Sequence, residues 1–289
     1  MSRYVIRKLA PKEFPSLLAE IPQPPKELWL MGELPPSGTV LLAVVGARKH
    51  TSYGKEACEQ IITELTGYDI TIVSGLALGI DAIAHEAAMK AGLRTIAVPG
   101  SGLDPKVLYP RNHVQLAERI LEAGGALLSE FPPDTPAAPW TFPKRNRIMA
   151  GLAEATLLIE AGEKSGTLIT ARLAADYNRD VLVVPGSIFS PASFGTNQFL
   201  KLGATPVTCG KDVLIALGFA PEDEVAQTIF DYSGLSPDEQ RVMEALNEMK
   251  QRDELIEEIE LSASDGNILL MKMEIAGLIK DTPLGIRRN

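Results

Sequence analysis

The chain has 289 residues, of which 45% are apolar and 22% are charged, and this composition excludes a mainly disordered chain. Acidic residues outnumber basic ones by 37 to 28, a net charge of −9 that by itself argues against nucleic acid as a partner. The deficit is confined to residues 221–289, which hold 16 acidic and 7 basic residues, so residues 1–220 are neutral overall and an anion-binding first part is not excluded.

Residues 1–38 form a proline-rich lead-in, for which the sequence predicts a short helix at most and then an extended segment. Residues 1–9 lack a signal-peptide core, and the longest apolar runs are far shorter than the roughly 20 residues that span a bilayer. The two cysteines, Cys58 and Cys209, are interpreted as free thiols in a reducing compartment. We therefore expect a cytoplasmic protein.

From residue 39 to residue 220, short apolar runs alternate with amphipathic helical stretches. The predicted strands are residues 39–45, 70–73, 94–98, 126–128, 155–159, 181–184 and 206–208. The predicted helices are residues 54–65, 80–91, 113–123, 145–152, 167–177, 196–202 and 212–217. This alternation predicts an α/β domain with a doubly wound, mostly parallel sheet and helices on both faces.

The last part of the chain is organised differently. Residues 221–232 are acidic and lack strand runs, which indicates a linker. Residues 233–289 predict three helices, the first opened by Ser236 and Pro237, the second over 254–260 and the third over 265–279 with a wide apolar stripe. A hairpin around Gly285 would complete a small winged-helix-like domain.

Loops rich in glycine or serine follow four of the predicted strands, at residues 46–54, 74–81, 99–104 and 160–167. Carboxyl ends of parallel strands meet at one edge of a sheet, so these loops predict a common ligand site. Glycines let backbone N–H groups approach an anion, and helix N-termini add partial positive charge. With Arg48, Arg111 and Lys164 at the same edge, the set favours a phosphate or phosphodiester cradle over loops that only make tight turns.

The standard nucleotide-binding motifs do not fit these loops. Seven residues separate Gly46 from Gly54 where a P-loop has four, and Glu56 replaces its Ser or Thr. Gly100 and Gly102 begin like a dinucleotide fingerprint, but Pro105 occupies the position of the third glycine. We therefore expect no nucleotide cofactor.

The segment WTFPKRNR at residues 140–147 places three cations within four residues beside two aromatic side chains. Cations neutralise phosphates and aromatic faces stack on bases, which is what binding of single-stranded nucleic acid requires. In the alternative interpretation, Trp140 and Phe142 belong to the core and the cations form a solvated face.

Two further sets of residues are of the types that serve in catalysis or metal binding. Asp81 and His85 are one helical turn apart and would suit a proton relay or a metal site, but they are interpreted as a structural pair because no third ligand lies nearby in sequence. Glu130 and Glu160 end predicted strands near the site and are equally suited to act as a general base or as helix caps. The sequence therefore assigns no catalytic residue and no metal.

Taken together, the loops resemble those of the DprA/Smf family of DNA-processing proteins. The matching segments are VVGARKHTSYG (44–54), SGLALGIDAIAH (74–85), LYPRN (108–112), LLSEFP (127–132), FPKRNRIMAGL (142–152), SGTLITAR (165–172) and VPGS (184–187). The resemblance covers roughly residues 11–218 in colinear order, and residues 233–289 resemble the family's winged-helix domain more loosely.

The resemblance implies an extended Rossmann-like fold that binds single-stranded DNA in a basic pocket without catalysis. It also implies a homodimer that loads the RecA recombinase onto incoming DNA during natural transformation. The implied phosphate contacts are Arg48, Arg111, Lys144, Arg145 and Arg147, and Lys164 at the same edge of the sheet is expected to join them in binding the DNA. The resemblance further implies that Phe142 stacks on a base, and that Ser74, Gly75, Ser165 and Gly166 line the pocket through backbone groups.

Two features depart from the family, and two other functions stay open. Only about 38 residues precede the first predicted strand. The winged-helix-like domain is acidic, so we expect it to contact protein or to regulate the pocket rather than to enter a DNA groove. One alternative is a nucleoside-monophosphate phosphoribohydrolase on a related fold, although Phe199 stands where its motif has a glutamate. The other is a sensor of small nucleotides that uses the same pocket.

Overall fold

One mixed sheet organises the first of the two units into which the chain divides, Met1–Pro221 and Glu222–Asn289. The computed structural model describes residues 4–220, 235–246, 248–282 and 285–288. The linker predicted at 221–232 therefore lies outside the described residues. Within those described ranges, no helix has both the length and the hydropathy needed to cross a membrane.

The sheet of the first unit has nine strands in the described residues. In chain order they are β1 (Arg7–Lys8), β2 (Trp29–Gly32), β3 (Val40–Val45), β4 (Ile70–Ser74), β5 (Arg94–Ala97), β6 (Ala126–Ser129), β7 (Ala155–Leu158), β8 (Asp180–Val183) and β9 (Thr205–Pro206). Their order across the sheet is β1-β2-β6-β5-β4-β3-β7-β8-β9, and β3 to β9 run parallel. The strand order reverses between β3 and β7, the position at which doubly wound sheets bind ligands.

Helices cover both faces of this sheet, as the alternating pattern predicts. They are α1 (Ser16–Glu20), α2 (Ser52–Thr63), α3 (Ile80–Lys90), α4 (Val114–Glu122), α5 (Thr141–Leu152), α6 (Thr167–Asp176), α7 (Phe194–Lys201) and α8 (Gly210–Ala216). Side chains of α2, α3 and α8 share one buried cluster, and those of α1, α5, α6 and α7 share another. The helices therefore bury their apolar faces against opposite sides of nearly continuous Val, Ile and Leu strands.

The proline-rich lead-in holds more structure than the sequence predicted. The expected short helix is present as α1, but β1 and β2 were missed. β2 pairs antiparallel with β6, from Trp29 opposite Ser129 to Gly32 opposite Ala126. β2 could not be predicted because it has only four residues, follows several prolines and pairs with a strand that is distant in sequence.

Helix α5 begins at Thr141, four residues before the predicted start at residue 145. Thr141 fixes this beginning: its hydroxyl is 2.5 Å from the Gly100 carbonyl oxygen and 2.8 Å from that of Ala138. The early start places Phe142 and the following cations on one helix. Residues 141–144 are therefore helical and not part of a loop, so the helical period determines which of these side chains lie on the same face.

The second unit contains helices α9 (Pro237–Ala245), α10 (Arg252–Glu258) and α11 (Ala263–Ile275), followed by strands β10 (Ile279–Thr282) and β11 (Gly285–Arg288). Three helices and a hairpin are the predicted winged-helix order. Ser236 caps α9 in the expected way, accepting from the Glu239 N–H. The predicted apolar stripe of the third helix is divided: Leu270 and Met273 are buried, whereas Met271 and Ile275 face solvent.

Candidate nucleic-acid interface

A pocket of about 510 Å³ lies at the reversal of strand order, beside the carboxyl ends of β3, β4 and β7. Its walls come from the loops after these three strands and from α5 and α6. Its charged and polar lining residues are Arg48, Lys49, Asp81, Arg145, Asn146, Lys164, Ser165, Thr167 and Thr170. Three of the four loops that the sequence predicted to share one edge therefore line a common pocket, whereas residues 99–104, after β5, do not line it.

The loop after β3 is held in place by the buried carboxylate of Glu160. This carboxylate accepts from the Thr51 N–H at 2.9 Å and from the Thr51 hydroxyl at 2.5 Å, while Thr51 Oγ1 accepts from the Gly54 N–H to cap α2. A Cβ at position 54 would overlap the Glu160 carboxyl group, so only glycine allows this approach. Glu160 thus acts as a loop anchor, the structural one of its two predicted roles.

The floor of the pocket holds two buried side chains of opposite charge, Asp81 and Arg145, which both contact the backbone of Gly75. The Asp81 carboxylate accepts from the Gly75 N–H at 3.1 Å, and Arg145 Nη1 donates to the carbonyl oxygens of Gly75 and Val98. Burial raises the pKa of Asp81, against the pull of Arg145, and burial lowers the pKa of Arg145 to about 10. Arg145 is therefore charged at neutral pH, and its Nε atom has no hydrogen-bond partner among the described residues.

An aromatic wall stands beside this floor. The Arg48 guanidinium carbon is 5.3 Å from the centre of the Phe142 ring, and the Tyr109 ring lies 5.6 Å away on a tilted plane. A Cβ at Gly100 would come within 2.5 Å of the Phe142 ring, so this glycine makes room for the aromatic side chain. Phe142 is half-buried and lines the pocket, as the base-stacking prediction requires.

Lys164, Ser165 and Gly166 form the rim at the beginning of α6. Lys164 and Gly166 are exposed, and Ser165 Oγ accepts from the Thr167 N–H at 3.2 Å. The Gly166 carbonyl accepts from the Asn146 amide of α5 at 3.4 Å. These predicted residues are thus brought together with Arg48, Phe142 and Arg145.

The other predicted cations have protein partners and do not line the pocket. Arg111 Nη1 donates to the carbonyl oxygens of Pro105 and Lys106 at 2.9 and 2.8 Å. Arg147 donates to Gln23 O at 2.7 Å and to the Glu130 carboxylate, which also lies 3.5 Å from Lys144 Nζ. Arg111 and Arg147 therefore lie outside the lining of this pocket, and their implied phosphate contacts stay predictions.

Three more predicted residues have structural roles in the fold. Ser74 is fully buried and its hydroxyl donates to Val44 O at 2.6 Å. Asp81 and His85, which were expected to pair, take different partners: Asp81 accepts from the backbone of residues 75 and 77, and His85 Nδ1 lies 2.7 Å from Thr95 Oγ1.

Sequence reasoning missed Lys49, Asn146 and Met149 as pocket residues. For α5 the signal was available, because positions 142, 145, 146 and 149 share one face at helical spacing. The assumed start at residue 145 concealed that face. Lys49 had no comparable signal, since its direction depends on the loop that Glu160 anchors.

The arrangement suits binding of an anion next to an unsaturated ring. Exposed cations surround a buried guanidinium, an aromatic face is within reach, and the carboxylates Asp81 and Glu160 are both committed to hydrogen bonds with loop residues. A phosphodiester with a stacked base meets each of these features.

Family models match both units of the chain. The model described as DNA recombination-mediator protein A matches residues 6–218, and the model described as the DprA winged helix domain matches residues 231–283.

Individual proteins give the same picture. Protein Smf of Escherichia coli (strain K12) is 38% identical over 289 residues, covering 95% of this chain and 74% of that protein. The X-ray structure of DNA processing protein A from Streptococcus pneumoniae matches at 38% identity with a TM-score of 0.68, covering 73% of this chain and 74% of that one. A Helicobacter pylori structure, described with the single-stranded DNA binding mode of DNA processing protein A, matches at 30% identity with a TM-score of 0.65, covering 75% and 97%.

Proposed function

The chain belongs to the DprA/Smf family of DNA-processing proteins, and on this premise we propose that its pocket binds single-stranded DNA. A DNA-processing role follows from the family itself. One observation supports the finer proposal most directly. The pocket brings the exposed cations Arg48, Lys49 and Lys164 together with the half-buried ring of Phe142.

In this proposal the pocket residues contact different parts of the DNA. Arg48, Lys49 and Lys164 neutralise phosphates at the rim, and the buried guanidinium of Arg145 adds positive charge at the floor. Phe142 stacks on a base, and the backbone of Ser165 and Gly166 borders the strand. Among the other predicted residues, Gly75 positions Arg145 and Ser74 fixes the end of β4, whereas Arg111, Arg147 and Lys144 lie outside the pocket lining.

The same geometry supports a binder over an enzyme. Phe199 of α7, which occupies the position of the glutamate in the phosphoribohydrolase motif, is buried in the apolar cluster that α7 shares with α1, α5 and α6. The carboxylates at the pocket are held by loop groups, so neither is free to move a proton. The protein in this proposal recognises single-stranded DNA and leaves its bonds unchanged.

A double variant tests the site. Arg48→Ala/Lys164→Ala is expected to weaken binding of a fluorescent dT oligonucleotide of about 30 nucleotides at least tenfold, because two phosphate contacts are lost. The slope of log affinity against log salt should fall by about 1.4. Fluorescence anisotropy across a salt series measures both effects.

The matched control is Lys90→Ala, which removes an exposed lysine at the far end of α3, away from the strands' carboxyl ends. It should bind as the wild type does. Unchanged binding by the double variant, or equal competition by duplex DNA, would show that the pocket is not a single-strand site. Equal competition by a mononucleotide would favour the nucleotide sensor.

We extend the proposal to recombination, since the matching family is described as a recombination mediator. As a homodimer, the protein would deliver RecA to the bound strand during DNA uptake. The expected result is faster RecA filament assembly on DNA covered by single-strand-binding protein, and no acceleration by the double variant. Acceleration that survives loss of DNA binding would contradict a loading role for the pocket.

A further inference from the structure

Trp140 is exposed on 59% of its surface, immediately before α5, and the pocket does not use it. A single exposed apolar residue is ordinary, so exposure alone carries no argument. Trp140 differs from an isolated exposed residue because its ring packs on another aromatic side chain. Its ring makes a T-shaped contact with the buried Phe131 ring, with the centroids 5.7 Å apart.

The backbone around Trp140 is also fixed. The next residue, Thr141, donates its N–H to Ala138 O at 3.0 Å, and the Thr141 hydroxyl accepts from the Ala138 N–H at 3.1 Å. The same hydroxyl contacts Gly100 O, which joins this turn to the loop after β5. The indole ring is therefore presented by a fixed turn, and binding would order few additional groups.

A cation lies next to this ring pair. Lys144 Nζ is 5.2 Å from the centre of the Phe131 ring, and the side chain of Lys144 is about half exposed. Its acidic neighbour, Glu130, is shared with Arg147, whose ion pair is the closer of the two. Two cations against one carboxylate leave a net positive charge beside Trp140.

The platform formed by Trp140, Phe131 and Lys144 adjoins the pocket. Phe142, the second residue of α5, and Pro143 line the pocket. Trp140, in contrast, immediately precedes α5, and Lys144 follows Trp140 by four residues, on the same side of the helix. If a strand whose base stacks on Phe142 continues past the beginning of α5, its next nucleotides meet the exposed ring of Trp140 and the cation of Lys144.

We propose that Trp140 and Lys144 form a second nucleotide subsite outside the pocket, in which Trp140 stacks on a base and Lys144 contacts a phosphate of the same single strand. This inference rests on the proposed function. It assigns a role to the exposed aromatic residue of the WTFPKRNR segment. Stacking on a ring is tolerant of sequence, so this subsite would add affinity with strand length rather than base preference.

Oligonucleotide length separates the two subsites. For dT strands of about 4 nucleotides, which fill the pocket, Trp140→Ala should bind as the wild type does; for strands of about 20 nucleotides it should bind about fivefold or more weakly. Trp140→Phe, which keeps an aromatic ring, should retain most of the affinity. Lys144→Ala should lower the salt slope by about 0.7 for long strands only, with Lys90→Ala as its matched control.

Fluorescence gives an independent readout, because Trp29 and Trp140 are the two tryptophans of the chain. In a Trp29→Phe background, emission from Trp140 should be quenched by long strands and not by short ones. Binding by Trp140→Ala that equals the wild type at every length, or falls equally at every length, would overturn the second subsite. Unquenched Trp140 with a loss only of RecA stimulation would assign the platform to a protein partner instead.

The proposed function and this inference fail differently. If the wild type binds no single strand at any length, the proposed function is wrong. Suppose instead that the wild type binds single strands and that Arg48→Ala/Lys164→Ala loses binding at all lengths. If the affinity of Trp140→Ala relative to the wild type is then the same for short and long strands, only the second subsite is wrong.

Discussion

Replacing Arg145 with methionine is expected to lower the free energy of unfolding of the first unit by about 3–5 kcal/mol. The side chain is 5% exposed, and its guanidinium donates to the buried carbonyl oxygens of Gly75 and Val98. Methionine fills similar space but donates nothing. It would leave the Asp81 carboxylate buried without the cation that opposes the rise in its pKa.

A second substitution identifies the charge as the cause. Asp81→Asn removes the buried negative charge, and its side-chain oxygen can still accept from the N–H groups of Gly75 and Ala77. Arg145→Met/Asp81→Asn should therefore recover about 1–3 kcal/mol of the loss from Arg145→Met alone. Both tryptophans lie in the first unit, so their fluorescence during urea unfolding reports on that unit. Strictly additive losses would show that Asp81 and Arg145 do not stabilise each other.

The central strands of the sheet could be predicted from the sequence, but the short strand β2 could not. The strands could be predicted because their Val, Ile and Leu runs are buried on both faces, and the parallel arrangement follows from the alternation with helices. Those two facts bring the glycine-rich loops to one edge. They do not reveal β2, whose four residues depend on pairing with β6.

The sequence could predict that the cations of the candidate site lie near one another, but not which of them line the pocket and which have protein partners. Lys144, Arg145 and Arg147 look equivalent as cations in one segment, yet the structure gives each a different environment. Arg145 points into the pocket floor, Arg147 pairs with Glu130 and Gln23 O, and Lys144 lies over Phe131. Helical spacing separates Arg145 from the other two, whereas Glu130 as a partner is a tertiary contact that spacing does not encode.

His85 should make the first unit less stable in mild acid, by about 2 kcal/mol between pH 7 and pH 5. Thr95 Oγ1 donates its hydrogen to Ile72 O at 2.9 Å, so it accepts from His85 Nδ1–H. The other ring nitrogen, Nε2, is therefore unprotonated, and it is buried with no partner among the described residues. Protonation would place a charge there with no acceptor, and burial lowers the pKa of His85 to about 3.

The sign of this pH dependence follows from the pKa of His85 in the unfolded chain and in the folded chain. In the unfolded chain a histidine takes up a proton near pH 6.5, whereas the folded chain resists until about pH 3. Stability from His85 is complete above pH 6.5 and falls by about 1.4 kcal/mol per pH unit between these values. Asp81 and Glu130, whose pKa values are raised by burial, oppose the loss, because stability from a raised carboxyl group is lost as pH rises.

The variant His85→Asn separates these contributions. Its amide nitrogen occupies the place of Nδ1 and can donate to Thr95, but it does not titrate. The smaller side chain lowers stability at every pH, so the quantity to compare is the change between pH 7 and pH 5. That change, measured by urea unfolding with tryptophan fluorescence, should be about 2 kcal/mol more unfavourable in the wild type than in His85→Asn. Equal changes in the two proteins would mean that His85 is protonated in the folded state or that another group senses the acid.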